Sequence, residues 1–140
     1  MILFYDSSSL FKLHVIERHS ATVREWASEA TDLAASRLVF VEIHSAVARR
    51  ERSGVIAAAQ ADQVRRDFAA MWEQIAAIDL DHALAAELCA RRGLRALDAI
   101  HLAAALTVKA AEPAADLAFC CFDAQLNAAA AAEGLRVLTA

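Results

Sequence analysis

Short uninterrupted apolar runs alternate along this chain with longer stretches in which large apolar side chains recur every three or four residues. The first run, residues 2–5, predicts a strand ended by Asp6 and three serines. Ser8 or Ser9 is then the expected cap of a helix running through Leu10, Leu13 and Ile16 to about residue 18. A second helix is predicted over 21–30, with Val23, Trp26 and Ala27 on one face, followed by a short strand over 33–36. The next helix spans 39–52 and stops at Gly54. The longest periodic segment, 56–76, carries Val64, Phe68, Met71, Trp72 and Ile75 on one face, and a third strand follows over 77–80. Asp81 is placed to cap a helix over 82–92 that Gly93 ends, and another helix covers 96–111 before Pro113 breaks the pattern. A strand over 117–122 closes at Asp123, a helix over 124–133 ends at Gly134, and a last strand covers 135–138. Strands that are apolar throughout and separated by helices predict a parallel sheet covered on both faces. The expected fold is therefore a single α/β domain over residues 1–140, a doubly wound sandwich.

Composition strengthens the helical part of this reading. Ala supplies 36 of the 140 residues, and Ala has the best helix propensity because it loses no side-chain entropy on folding. Hydrophobic residues make up 59% of the chain, enough for one core and too many for a disordered one. No apolar stretch is long enough to span a bilayer, and the apolar start meets Asp6 too early for a signal peptide. The three cysteines, at 89, 120 and 121, are odd in number and lack metal-site spacing, so a reduced, cytoplasmic protein is expected.

The net charge of −4 argues against a protein that coats nucleic acid by bulk electrostatics. It leaves room for carboxylates gathered around a cation, whose own charge reverses the local sign. Four acids stand in apolar surroundings. Asp6 follows the first strand, Asp123 follows Leu-Ala-Phe-Cys-Cys-Phe, Glu42 lies in Leu-Val-Phe-Val-Glu-Ile, and Asp98 lies in Leu-Asp-Ala-Ile. An isolated buried carboxylate costs several kcal/mol, on the order of the penalty for any unpaired buried ion, so each must be protonated, paired or metal-bound. Each of three also has an ordinary explanation: Asp6 as a helix cap, Asp98 as an acid at a helix start, Asp123 as a turn residue. Glu42 has none nearby, because Arg49 and Arg50 lie two turns on.

Converging carboxylates without basic partners suit Mg²⁺ or Mn²⁺, which prefer oxygen ligands. A thiolate zinc site, an HExxH pair, a Gly-rich phosphate loop and a serine nucleophile elbow are all missing from the sequence. Ser8 suits either a phosphate contact or a plain cap. His101, one turn after Asp98, suits either a donor beside the acids or a packed helix histidine. Three arginine groups (49, 50 and 52; 65 and 66; 91, 92 and 95) suit phosphate groups, an acidic partner, or neighbouring carboxylates such as Glu51, Asp62 and Asp67.

These residues resemble a known family. Phe-Tyr-Asp-Ser-Ser-Ser-Leu-Phe-Lys-Leu at 4–13 is similar to the opening of a PIN-domain protein. The segments 40–49 around Glu42, 94–106 around Asp98 and 122–126 around Asp123 resemble that family's later motifs, in the same order over essentially the whole chain. The likeness is nearest to VapC-type toxins of bacterial toxin–antitoxin pairs. It implies an α/β/α sandwich with a short, mostly parallel sheet. It further implies a Mg²⁺- or Mn²⁺-dependent endoribonuclease with Asp6, Glu42, Asp98 and Asp123 around the metal, an RNA substrate, a VapB-like antitoxin and a homodimer. Many relatives carry Ser or Thr where this chain has Cys121, and a thiol is the weaker hydrogen-bonding group. Two other readings stay open at this point: a metal-dependent phosphohydrolase acting on DNA or another phosphate ester, and a non-catalytic PIN-like interaction module.

Overall fold

In the computed structural model, which describes residues 1–140, the elements follow one another as β1 (Ile2–Tyr5), α1 (Ser7–Phe11), α2 (Ser20–Glu29), β2 (Asp32–Ser36), α3 (Leu38–Arg52), α4 (Ala58–Trp72), β3 (Ile75–Ile78), α5 (His82–Arg92), α6 (Ala96–Ala111), β4 (Leu117–Cys120), α7 (Ala124–Ala132) and β5 (Arg136–Leu138). The strands form one sheet in the order β3-β2-β1-β4-β5, and every neighbouring pair is parallel. The expected α/β sandwich is observed, with a sheet that is parallel throughout.

Side-chain alternation along β1 explains its unbroken hydrophobicity. Leu3 and Tyr5 enter one core, with Leu10 and Phe11 of α1, Val23 of α2, Val39 of α3 and Phe68 of α4. Phe4 enters the opposite core and stacks on Phe119 at 5.8 Å, beside Leu102 of α6 and Leu126 of α7. Helices cover both faces, so neither set of alternate positions meets water. No helix is long and apolar enough to cross a membrane.

The topology marks one place on the sheet. From β1 the chain builds outward through β2 and β3, then returns to add β4 and β5 on the other side. The helix after β1 packs on one face and the helix after β4 on the other. Their divergence opens a crevice beyond the carboxyl ends of these two adjacent strands, where open α/β sheets hold ligands.

Several boundaries differ from the pattern-based expectation. The helix after β1 stops at Phe11 instead of continuing to residue 18. The following residues form turns, tied by Ser20 Oγ, which donates to Val15 O at 2.9 Å and accepts from Glu17 N at 3.0 Å. Ile16, expected on a core face, is 94% exposed. The third strand lies at Ile75–Ile78, two residues earlier than expected, because Ile75 pairs with Leu33 in the sheet and is buried there while Leu80 is exposed. That shift also ends α4 at Trp72. Local signals elsewhere hold: Asp81 accepts from Leu84 N at 2.9 Å to cap α5, and Gly93 closes that helix at a φ of 65°.

Candidate active site

Asp6 leaves β1 in an extended conformation and is itself the cap of α1. Its Oδ1 accepts from Ser9 N at 2.9 Å and from Ser9 Oγ, whose hydroxyl also approaches Cys120 O at 2.6 Å. The expectation that Ser8 or Ser9 caps the helix is thus corrected: a shorter lead-in puts Asp6 at the cap, and both serines donate to it. Ser8 Oγ donates to Asp6 Oδ2 at 2.9 Å, and the Cys121 thiol lies 3.5 Å from the same oxygen. With these partners Asp6 is only 7% exposed.

Glu42 comes from the second turn of α3 and is supported from two other elements. Ser7 Oγ donates to its Oε2 at 3.0 Å. His101 Nε2, from α6, lies 2.8 Å from its Oε1, poorly aligned for a hydrogen bond. Burial would raise the Glu42 pKa, but His101 and Ser7 outweigh it and hold the carboxyl below the usual glutamate value. His101 is 2% exposed, and neither of its ring nitrogens has an aligned partner. The arginines two turns along α3 take no part.

Asp98 stands in the first turn of α6, where a negative charge is favoured by the helix dipole. Arg95 Nε lies 3.3 Å from its Oδ2, and that arginine is mostly exposed. Asp6, Glu42, Asp98, His101, Ser7 and Arg95 line one open cleft of about 370 Å³ at the crevice described above. Asp123 does not line it. Asp123 caps α7 by accepting from Leu126 N at 2.8 Å, and its own N–H points at Cys121 Sγ, 3.3 Å away. Cys121, fully buried, therefore stands between Asp123 and Asp6, and burial pushes its thiol pKa up so that it stays protonated.

The structure thus brings three of the four expected acids and His101 to one cleft, and sets the fourth beside it across a thiol. No three His, Cys, Asp or Glu side chains are grouped closely enough to enclose an ion as they stand. Asp116 is exposed in the turn before β4, away from the cleft, and pairs with Arg136 at 2.9 Å. Ser7 was not singled out by sequence, because its contact with Glu42 joins residues 35 apart and leaves no local signal.

This arrangement has a family context. A family model of the PIN domain matches residues 3–131. The chain belongs to the PIN domain family. Among PIN-domain relatives it is similar to Ribonuclease VapC45 and Ribonuclease VapC49, both of Mycobacterium tuberculosis, from the CDC 1551 / Oshkosh and ATCC 25618 / H37Rv strains respectively. Each is 28% identical over 142 residues, covering 99% of this chain and 96% of the relative. Its fold is similar to the crystal structure of PAE2754 from Pyrobaculum aerophilum, with a TM-score of 0.67 at 19% identity, covering 98% of this chain and 83% of that one.

Proposed function

We propose that this chain is a Mg²⁺- or Mn²⁺-dependent endoribonuclease that acts as the toxin of a toxin–antitoxin pair in the cytoplasm. The observation that carries the reading is the cleft itself: Asp6, Glu42 and Asp98 meet at the switch point of a parallel sheet, with one exposed arginine as the cleft's only Lys or Arg. Near-full-length similarity to proteins named as VapC ribonucleases supports RNA as the substrate and a VapB-like antitoxin as the partner. The homodimer rests on the family resemblance.

The donor set suits a hard cation. It consists of carboxylate oxygens, and Glu42 Oε1 is buried without an aligned hydrogen bond. Asp6 and Asp98 would hold the ion, with Glu42 and Asp123 completing the ligands or orienting the attacking water. When bound, the cation lowers the pKa of a coordinated water and offsets charge on the phosphate. The chain's own residues do the rest. Ser8, Ser9 and Cys121 fix the Asp6 carboxylate, and the Glu42 carboxylate is pinned between Ser7 and His101. His101 and Ser7 hold the Glu42 carboxyl below the usual glutamate value, so it is ionised and can accept a proton from a water that attacks phosphorus while the P–O bond to the leaving strand breaks and the leaving oxygen takes up a proton from solvent. The test is RNA cleavage by purified, antitoxin-free protein with Mn²⁺ and with chelator, beside Asp6→Asn. Cleavage lost in chelator and in the variant is the expected result. Equal cleavage by wild type and variant refutes the site.

A further inference from the structure

A second, larger groove of about 580 Å³ opens between α1 and α3 and shares Ser7, Glu42 and Leu97 with the cleft. Resting on the nuclease reading, we infer that this groove is a backbone site for single-stranded RNA, in which Arg49 grips a phosphate beside the one that is cut.

An acidic cleft on a chain of net charge −4 repels a polyanion, so the strand needs a cationic hold within about a Debye length, roughly 8–10 Å. Among the other arginine groups, Arg65 pairs with Glu51 and Asp62, Arg91 and Arg92 with Glu133, and Arg95 with Asp98 in the cleft, while Arg66 bonds only Gln63 and lies outside the groove. Arg49 has no carboxylate within 4.0 Å, and its one side-chain partner is Ser45 Oγ at 3.2 Å. Its guanidinium and that hydroxyl face the groove together, a donor pair suited to phosphate oxygens. Arg50 beside it lies 4.2 Å over the Phe11 ring and shares Glu17 with Lys12. Glu17 thus serves two cations with one charge, so these three side chains together carry a net positive charge beside Arg49. Val41 and Leu97, 64% and 49% exposed, form an apolar rim on the cleft side that suits ribose and base edges. Arginines in the last turn of α3 also favour the helix dipole, but that accounts for their charge and not for the groove, the hydroxyl or the apolar rim.

The test is binding of a short mixed-sequence RNA strand in chelator, followed by fluorescence anisotropy across a salt series, with thermal melts confirming that each variant folds. Arg49→Ala is expected to weaken binding and to flatten the slope of log K against log salt by about 0.7, the share of one phosphate contact on a single strand. Arg49→Lys restores the slope. Arg66→Ala, the same charge change on α4 outside the groove, leaves it unaltered. Equal slopes for the wild type and Arg49→Ala overturn the inference, as does an equal loss in Arg66→Ala. Arg49-dependent binding of oligoglutamate with no binding of RNA overturns it too, making the groove a protein-docking site. Cleavage by the wild type with an unchanged Arg49→Ala slope removes this inference alone. Arg49-dependent RNA binding without cleavage in Mn²⁺ removes the nuclease reading and keeps the groove.

Discussion

Asp6 serves the fold with one carboxylate oxygen and the cleft with the other, and two substitutions separate these roles. Asp6→Ala removes the acceptor that caps α1 through Ser9 N, a loss of about 1–2 kcal/mol. The Ser9 hydroxyl keeps Cys120 O as a partner, so little further cost follows there. In a chain of this length 1 kcal/mol corresponds to roughly 3–5 °C. In chelator, Asp6→Ala should therefore melt about 4–8 °C below the wild type. Asp6→Asn retains an oxygen for the cap and removes one negative charge from a cleft shared with Glu42 and Asp98, so its melt should stay within about 1 kcal/mol of wild type. Saturating Mn²⁺ sets both variants apart from the wild type. At a hundredfold excess over Kd the wild type gains about 2.7 kcal/mol, and both variants lose most of that gain. Equal melts for the two variants in chelator would refute the cap argument. A full Mn²⁺ shift in Asp6→Asn would refute Asp6 as a ligand.

Four further outcomes follow from the same contacts. A carboxyl held below its unfolded pKa adds stability above that value and loses it as pH falls through the folded one, so Glu42→Gln should destabilise the chelated protein at neutral pH. The gap to wild type should close below about pH 4.3, and a gap that urea denaturation finds constant with pH contradicts this. Cys121→Ala removes the thiol beside Asp6 and should weaken Mn²⁺ binding by about tenfold in calorimetry, while Cys121→Ser preserves it; equal affinities would deny the thiol any role. Phe119→Ala opens a cavity opposite Phe4 and should cost about 3–5 kcal/mol in denaturant unfolding, with a loss under 1 kcal/mol refuting the stacked core. Wild-type protein in chelator should cleave no RNA and recover on adding Mn²⁺, whereas undiminished cleavage would exclude the metal.

Much of the architecture was legible in the chain because the signals were local. A four-residue unbroken apolar run closed by turn-forming residues, as at β1, suits a strand buried on both faces, and an Asp three residues before a free helix N–H, as at Asp81, caps within a single turn. The same logic located Asp6 at the carboxyl end of β1, whereas Asp123, three residues past β4, caps α7 outside the cleft. Ile16 and Ile75 misled the pattern because apolar spacing says that a side chain is suited to burial, not which neighbour buries it. Pairing with Leu33 made Ile75 a strand residue, and Ser20 drew the chain around Ile16 into turns.

By itself, then, the order of residues determined the fold class, the strand-end acids and their apolar setting, all set by free energies that act over a turn or a strand. Only the tertiary structure decided which acids share a cleft, that Ser7 and His101 rather than an arginine support Glu42, and that Cys121 stands between Asp6 and Asp123. Those contacts join different elements, and their geometry depends on how two helical layers pack across one sheet.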